Sequence, residues 1–250
     1  MDRITYKTDM TQRRVVVLKH SETAQDEYEM LMKFDHPGII KPLESRQGCL
    51  VLPYFPERSA DGIAGYCSEK EVWRFLRDVA DSLRYLHGLG HIHGDITPAN
   101  VLISKERYVV CDFDRQDDKV SLAYTPPEWN MKLCNMTGKS DIWSLGASAF
   151  YLLMGTCVFS GRGGKEQKEK TPVPSLRTDR FSEALSVLIK NCLSFNPEDR
   201  PETDDIIRIA EKQLAAEAAV RRKPAAKARK EEAKARDIFW PEEMTTIENL

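Results

Sequence analysis

The residues best suited to chemistry fall in one stretch, "HIHGDITPANVLIS" from His91 to Ser104, followed by "CDFDR" from Cys111 to Arg115. Asp95 and Asn100 are close enough in sequence to share a loop. Asp112 lies near the end of the second of two short apolar runs, "NVLIS" and "YVVCDF", which "KER" would join as a hairpin. That arrangement has the outline of a phosphotransfer site. Taken alone, however, Asp95 with Asn100 is also what ordinary turn chemistry produces. The meaning of the stretch depends on the elements around it.

Those elements divide into a small β-rich part and a larger helical part. "RRVVVLKH" is a β-branched run suited to a strand. "SETAQDEYEMLMKF" is predicted to be a helix with Ser21 as its N-cap, and "CLVLPYF" a second strand closed off by Pro56. From Ser68 the pattern turns helical. Ser68 and Glu71 form a capping box. Val72, Phe75, Leu76, Val79, Leu83 and Leu86 then share one face, and Gly88 and Gly90 end the helix. "SDIWSLGASAFYLLMG", "RFSEALSVLIKNCL" and "ETDDIIRIAEKQL" are three further helices.

Composition narrows the class. With 250 residues, 41% hydrophobic and 30% charged, the chain can bury one or two cores. A net charge of -2 offers no general attraction for nucleic acid or an anionic membrane. The six cysteines are scattered with no C-x-x-C pair, which points to reduced thiols in a cytoplasmic protein and away from structural zinc. "MDRITYKTDMTQRR" has no apolar signal region, and no run approaches a membrane span in length. Residues 215–250 are a charged tail whose first part is almost all Ala, Lys, Arg and Glu. It reads as a solvated helix or tether, with 221–236 a weaker candidate for contact with an acidic surface or nucleic acid.

The same residues, in order, resemble the eukaryotic-type protein kinase family from about Ile4 to Leu214. "VVVLKH" resembles the strand carrying the ATP-phosphate lysine, here Lys19, and "DEYEMLMKFDHPGIIKPLE" the αC helix, which makes Glu27 its ion-pair partner. "LVLPYF" resembles the hinge after a gatekeeper, here Leu52. "HGDITPAN" resembles the catalytic loop, "DFD" the metal motif, "TPPE" the end of the activation segment and "DIWSLG" the anchoring helix. "NPEDRP" would bring Arg200 to Glu128.

The resemblance implies an α+β, two-lobed kinase-like fold. Its expected parts are a truncated β-rich N-lobe over 1–55, a helical C-lobe over 56–214 and the tail. It implies ATP and Mg²⁺, with a protein as substrate or binding partner. Phosphoryl transfer needs positioning and charge neutralisation more than covalent chemistry. Asp95 would orient the acceptor hydroxyl, Lys19 would hold the α- and β-phosphates, and Glu27 would hold Lys19. Asn100 and Asp112 would offer Mg²⁺ hard oxygens. Pro53 lacks an N–H, but at its hinge position only the carbonyl is needed, and Phe55 would supply the hinge N–H. Asp141 and Arg200 are expected to be structural.

Several positions depart from the family pattern. The chain begins where the Gly-rich loop would end, and no G-x-G-x-x-G occurs in it. Thr97 replaces the lysine two residues after the catalytic Asp, with Arg115 or Lys119 as candidate substitute cations. Gly94 replaces the arginine that reads an activation-loop phosphate. The segment from Asp112 to Glu128 is short, so activation by loop phosphorylation is not expected. Ser121 lies where Ser/Thr kinases carry a threonine near the catalytic Asp, and Asp114 replaces the glycine of D-F-G. These departures keep two alternatives open. One is a pseudokinase acting as a binding or scaffold module. The other is a small-molecule kinase, since "HGD…DFD" also resembles aminoglycoside and choline phosphotransferases.

Overall fold

The computed structural model describes residues 3–9, 14–46, 48–113, 121–131, 136–176 and 179–219. Two compact units are present, Met1–Glu211 and Lys212–Leu250. In the second, residues 212–219 are helical.

The first unit opens with strands β1 (Arg3–Asp9) and β2 (Arg14–His20), helix α1 (Ala24–Met32), and strands β3 (Glu44–Arg46) and β4 (Cys49–Pro53). Among the described residues the strands form a four-stranded antiparallel sheet in the order β1-β2-β4-β3. The β-branched run of β2 takes the centre, pairing Val17 with Tyr6 on one side and with Leu52 on the other. Pro53 is tolerated because it ends β4 and faces only Val16, beyond the reach of β3.

Helix α1 starts later than expected. Its N-cap is Thr23, which makes no side-chain cap bond. Ser21 is not the cap: its hydroxyl lies 2.8 Å from that of Thr23 and accepts the Thr23 N–H, closing a local turn that competes with capping.

The helical lobe is built on α2 (Glu69–Gly88) and α3 (Gly138–Met154), followed by α4 (Glu183–Cys192) and a helical stretch over 203–211. The Ser68–Glu71 capping box forms as expected. Val72, Phe75, Leu76, Val79, Leu83 and Leu86 are all buried, each contributing about 2 kcal/mol of apolar burial. A second capping box, Thr137 with Ser140, starts α3. That helix is buried almost all round, as its apolar composition requires. Gly146 lets α4 approach, because a Cβ there would lie 2.6 Å from Cys192 Cβ.

Between α2 and α3 the chain forms the β5 (Val101–Ile103) and β6 (Tyr108–Val110) hairpin. Val110 donates to Gly38 O and accepts from Ile40 N–H, tying the hairpin to the loop after α1. This is an α+β kinase-like fold with a small antiparallel-sheet lobe and a helical lobe. No helix among the described residues is long and apolar enough to cross a membrane. Cys49, Cys67, Cys111, Cys157 and Cys192 are free thiols.

Candidate functional site

The site lies where the sheet, α1, the stretch from His91 to Asn100 and the end of the β5–β6 hairpin meet. Lys19, near the end of β2, is buried, and its Nζ lies 2.7 Å from Glu27 Oε2 on α1 and 2.6 Å from Asp112 Oδ1. Burial alone would lower the Lys19 pKa, but the charges of Asp112 and Glu27 outweigh it and hold the ammonium above the ordinary lysine value. Burial pushes the Glu27 carboxyl up, opposed chiefly by the Lys19 charge. Glu27 also accepts the Phe113 N–H at 3.2 Å, so α1 and the hairpin exit are joined through one carboxylate. Phe113 is buried, with ring centroids 5.5 Å from Phe34 and 4.7 Å from His93.

Helix α3 fixes the stretch that carries Asp95. Asp141, fully buried, accepts from His93 N–H at 3.0 Å and from Gly94 N–H at 2.7 Å, and lies 2.8 Å from His87 Nε2. Ser148 donates to Ile96 O. Gly94 has φ 78°, a conformation that costs glycine little and a side-chain-bearing residue more.

A short 3-10 turn, Pro98–Asn100, follows. It turns the Asn100 amide onto Asp95, with Nδ2 at 2.8 Å from Asp95 Oδ2 and 3.0 Å from Asp95 O. Burial raises the Asp95 pKa to about 6, moderated by the Asn100 hydrogen bond and raised further by the charge of Asp112. The Ser121 N–H also bonds to Asp95. Thr97 is only 2% exposed, and its hydroxyl accepts the Asn100 N–H at 3.3 Å, capping the turn.

A cavity of about 490 Å³ opens beside these groups, lined by Lys19, Glu27, Asn100 and Asp112 and also by Leu52, Pro53 and Phe55. The structure therefore gathers Lys19, Glu27, Leu52, Pro53, Phe55, Asn100 and Asp112 around one space, with Asp95 bonded to Asn100 at its edge. Asp114, Arg115 and Lys119 lie outside the described residues.

Tyr54, Cys111 and Arg58 are among the lining residues not singled out from sequence. Tyr54 lines the cavity with its ring edge-on to Tyr6, at 5.8 Å and 89°. Cys111 lines it too, and the only available signal was adjacency to "DFD". Arg58 lines its rim and has no local signature.

Among the described residues no group of three or more His, Cys, Asp or Glu could hold a metal by itself. A Mg²⁺ shared with phosphates needs only one or two protein oxygens. Asn100 and Asp112, both lining the cavity, are a donor set of that kind.

A family model described as protein kinase domain matches residues 6–210. The chain belongs to the protein kinase family. Among curated relatives, serine/threonine-protein kinase ppk11 of Schizosaccharomyces pombe is 34% identical over 152 residues, 55% of this chain and 49% of that protein. The 3-phosphoinositide-dependent protein kinase 1 of Arabidopsis thaliana is 29% identical over 218 residues, 74% of this chain and 44% of that protein. Serine/threonine-protein kinase ssp1 of Schizosaccharomyces pombe is 30% identical over 215 residues, 72% of this chain and 33% of that protein. The chain thus spans half or less of each of these relatives. The "TPPE" and "NPEDRP" motifs meet as the family pattern implies. Arg200 Nη1 and Nη2 lie 2.7 and 2.8 Å from the two Glu128 carboxylate oxygens.

Proposed function

We propose that the chain transfers the γ-phosphate of ATP to a Ser or Thr hydroxyl of a protein substrate. The observation that carries this reading is Lys19 held between Glu27 and Asp112 in a cavity that also presents Asn100, with Asp95 bonded to that Asn100. Adenine would rest against Leu52 to Phe55, using the Pro53 carbonyl and the Phe55 N–H. Lys19 would bind the α- and β-phosphates, with Glu27 keeping the ammonium in place. Asn100 and Asp112 would hold Mg²⁺, which when bound neutralises phosphate charge. Asp95 would accept the hydrogen bond of the acceptor hydroxyl, orient its oxygen toward the γ-phosphorus, and take its proton as the new P–O bond forms and the bond from the γ-phosphorus to the β,γ-bridging oxygen breaks, releasing ADP. The names of the relatives support Ser or Thr as acceptor. Gly94 brings no guanidinium to a loop phosphate, which supports a kinase that does not depend on loop phosphorylation.

A second reading, a nucleotide-binding scaffold without transfer, is favoured by Thr97. It replaces a transition-state cation with a buried cap. Purified chain incubated with Mg²⁺, labelled ATP and generic protein substrates separates the two. Transfer by the wild type that disappears in Asp95→Ala supports the kinase reading, whereas equal and negligible transfer by both supports the scaffold.

A further inference from the structure

Three described residues other than glycine have positive φ: Arg58 at 62°, Asp112 at 66° and Phe159 at 49°. Two of the three, Arg58 and Asp112, line the same cavity. A side chain in this backbone region is under strain that glycine would not feel, and such strain persists only where the surroundings over-determine it. At Arg58 they do. Its N–H donates to Phe55 O at 3.0 Å, its carbonyl accepts the Ile103 N–H at 2.8 Å, and Ser59 bridges to Leu102. The hinge end and the β5 strand thus clamp this residue at the cavity rim.

The charges in the cavity show what the clamp achieves. Its cationic linings among the described residues are Lys19 and Arg58, and its carboxylates are Glu27 and Asp112. Lys19 is bonded to both carboxylates. Arg58 makes no ion pair and no side-chain hydrogen bond among the described residues, so it is the one cation there with no carboxylate on it. Thr97 contributes no charge.

We propose that Arg58 is a second cationic contact for the nucleotide, pairing its guanidinium with the phosphate chain. This rests on the nucleotide reading given above. A guanidinium fork matches phosphate oxygens in geometry, and on a solvent-open rim it can pair without breaking a prior contact. The left-handed backbone at 58 is then a cost retained for the position of the charge, since glycine would satisfy the turn with less strain.

The test measures binding of Mg²⁺-ATP, ADP and adenosine to the full chain by calorimetry, with thermal unfolding of the unliganded protein alongside. Arg58→Gly relieves the strain and removes the charge, and Arg58→Asn removes the charge while tolerating positive φ. Both are expected to weaken ATP and ADP about tenfold and adenosine by less than about twofold, with a midpoint of unfolding for Arg58→Gly no lower than wild type. Equal weakening of ATP and adenosine, or unchanged affinity for all three, overturns the proposal. Wild-type chain that binds none of the three overturns the nucleotide reading itself, an outcome visible before any substitution is made.

Discussion

Two buried ion networks in this chain use the same chemistry to opposite ends. Under the helical lobe, Arg200 is fully buried and every guanidinium N–H has an acceptor. Nε donates to Ser194 O, Nη1 to Glu128 and Lys139 O, and Nη2 to Glu128 and Phe195 O. Five donors meet five acceptors, the full capacity of arginine. In the cavity, Lys19 has three donors and two described acceptors, and the Asp112 side chain is 41% exposed. One network is closed and holds the fold, while the other is left short of partners on the side where a ligand would enter. A buried ion pair therefore does not announce function by its presence. What distinguishes the site is unfilled hydrogen-bonding capacity next to an opening.

The comparison breaks most clearly at Asp95. Asp95→Ala should lower phosphotransfer by about 10²–10⁴-fold while leaving the unfolding midpoint near wild type, read from initial rates and thermal melts. A large loss of stability with no effect on rate would move Asp95 into the structural class.

Arg200→Ala should do the reverse. It leaves Glu128 without its cation and is expected to cost about 3–5 kcal/mol, measured by denaturant unfolding, with Arg200→Met and Glu128→Gln together recovering part of it. Below the ordinary glutamate value of 4.5 the same pair weakens. Burial would raise the Glu128 carboxyl, but the Arg200 hydrogen bond and charge hold it below its ordinary value. Its stabilisation is present above the unfolded-state value and is lost as the pH falls through the folded one.

The Asp95 carboxyl titrates in the opposite sense, raised from 3.8 to about 6. In the proposed reaction Asp95 acts in its ionised form, so the rate should fall about tenfold per pH unit below the acid limb, which lies near 6. Stability has the other sign. The folded state binds this proton more tightly, so the contribution of the group is fully present below the ordinary value and is lost as the pH rises through about 6. A pH–rate profile beside unfolding at two pH values, each repeated on Asp95→Asn, checks both signs.

The smallest effect is expected at Thr97. Thr97→Ala removes the cap of the Pro98–Asn100 turn and should cost about 1 kcal/mol, seen as a lower melting midpoint with adenosine affinity unchanged.

Much of this was legible in sequence wherever the signal was local. Ser68 and Glu71 are three residues apart and cap α2 as their spacing required. The β-branched run of β2 and the hairpin around "KER" also formed as read. Ser21 was misread as a cap because a hydroxyl has more than one local use, and its bond to Thr23 took precedence. The meeting of Glu128 with Arg200, 72 residues apart, was implied only by the family resemblance.

By itself the sequence determined which chemistry was possible: which residues carry charge, which periodicities make strands and helices, and which motifs stand in kinase order. These are properties of covalent spacing, and spacing survives without a fold. Which charges are satisfied and which are not depends on contacts between distant segments. Lys19 reaches Asp112 across 93 residues, Thr97 turns inward as a cap, and Arg58 is clamped at positive φ on the cavity rim by Phe55 and Ile103. Hydrogen-bond saturation and backbone strain arise when distant segments are brought within about 3 Å of each other, and nothing in the local spacing of the chain encodes them.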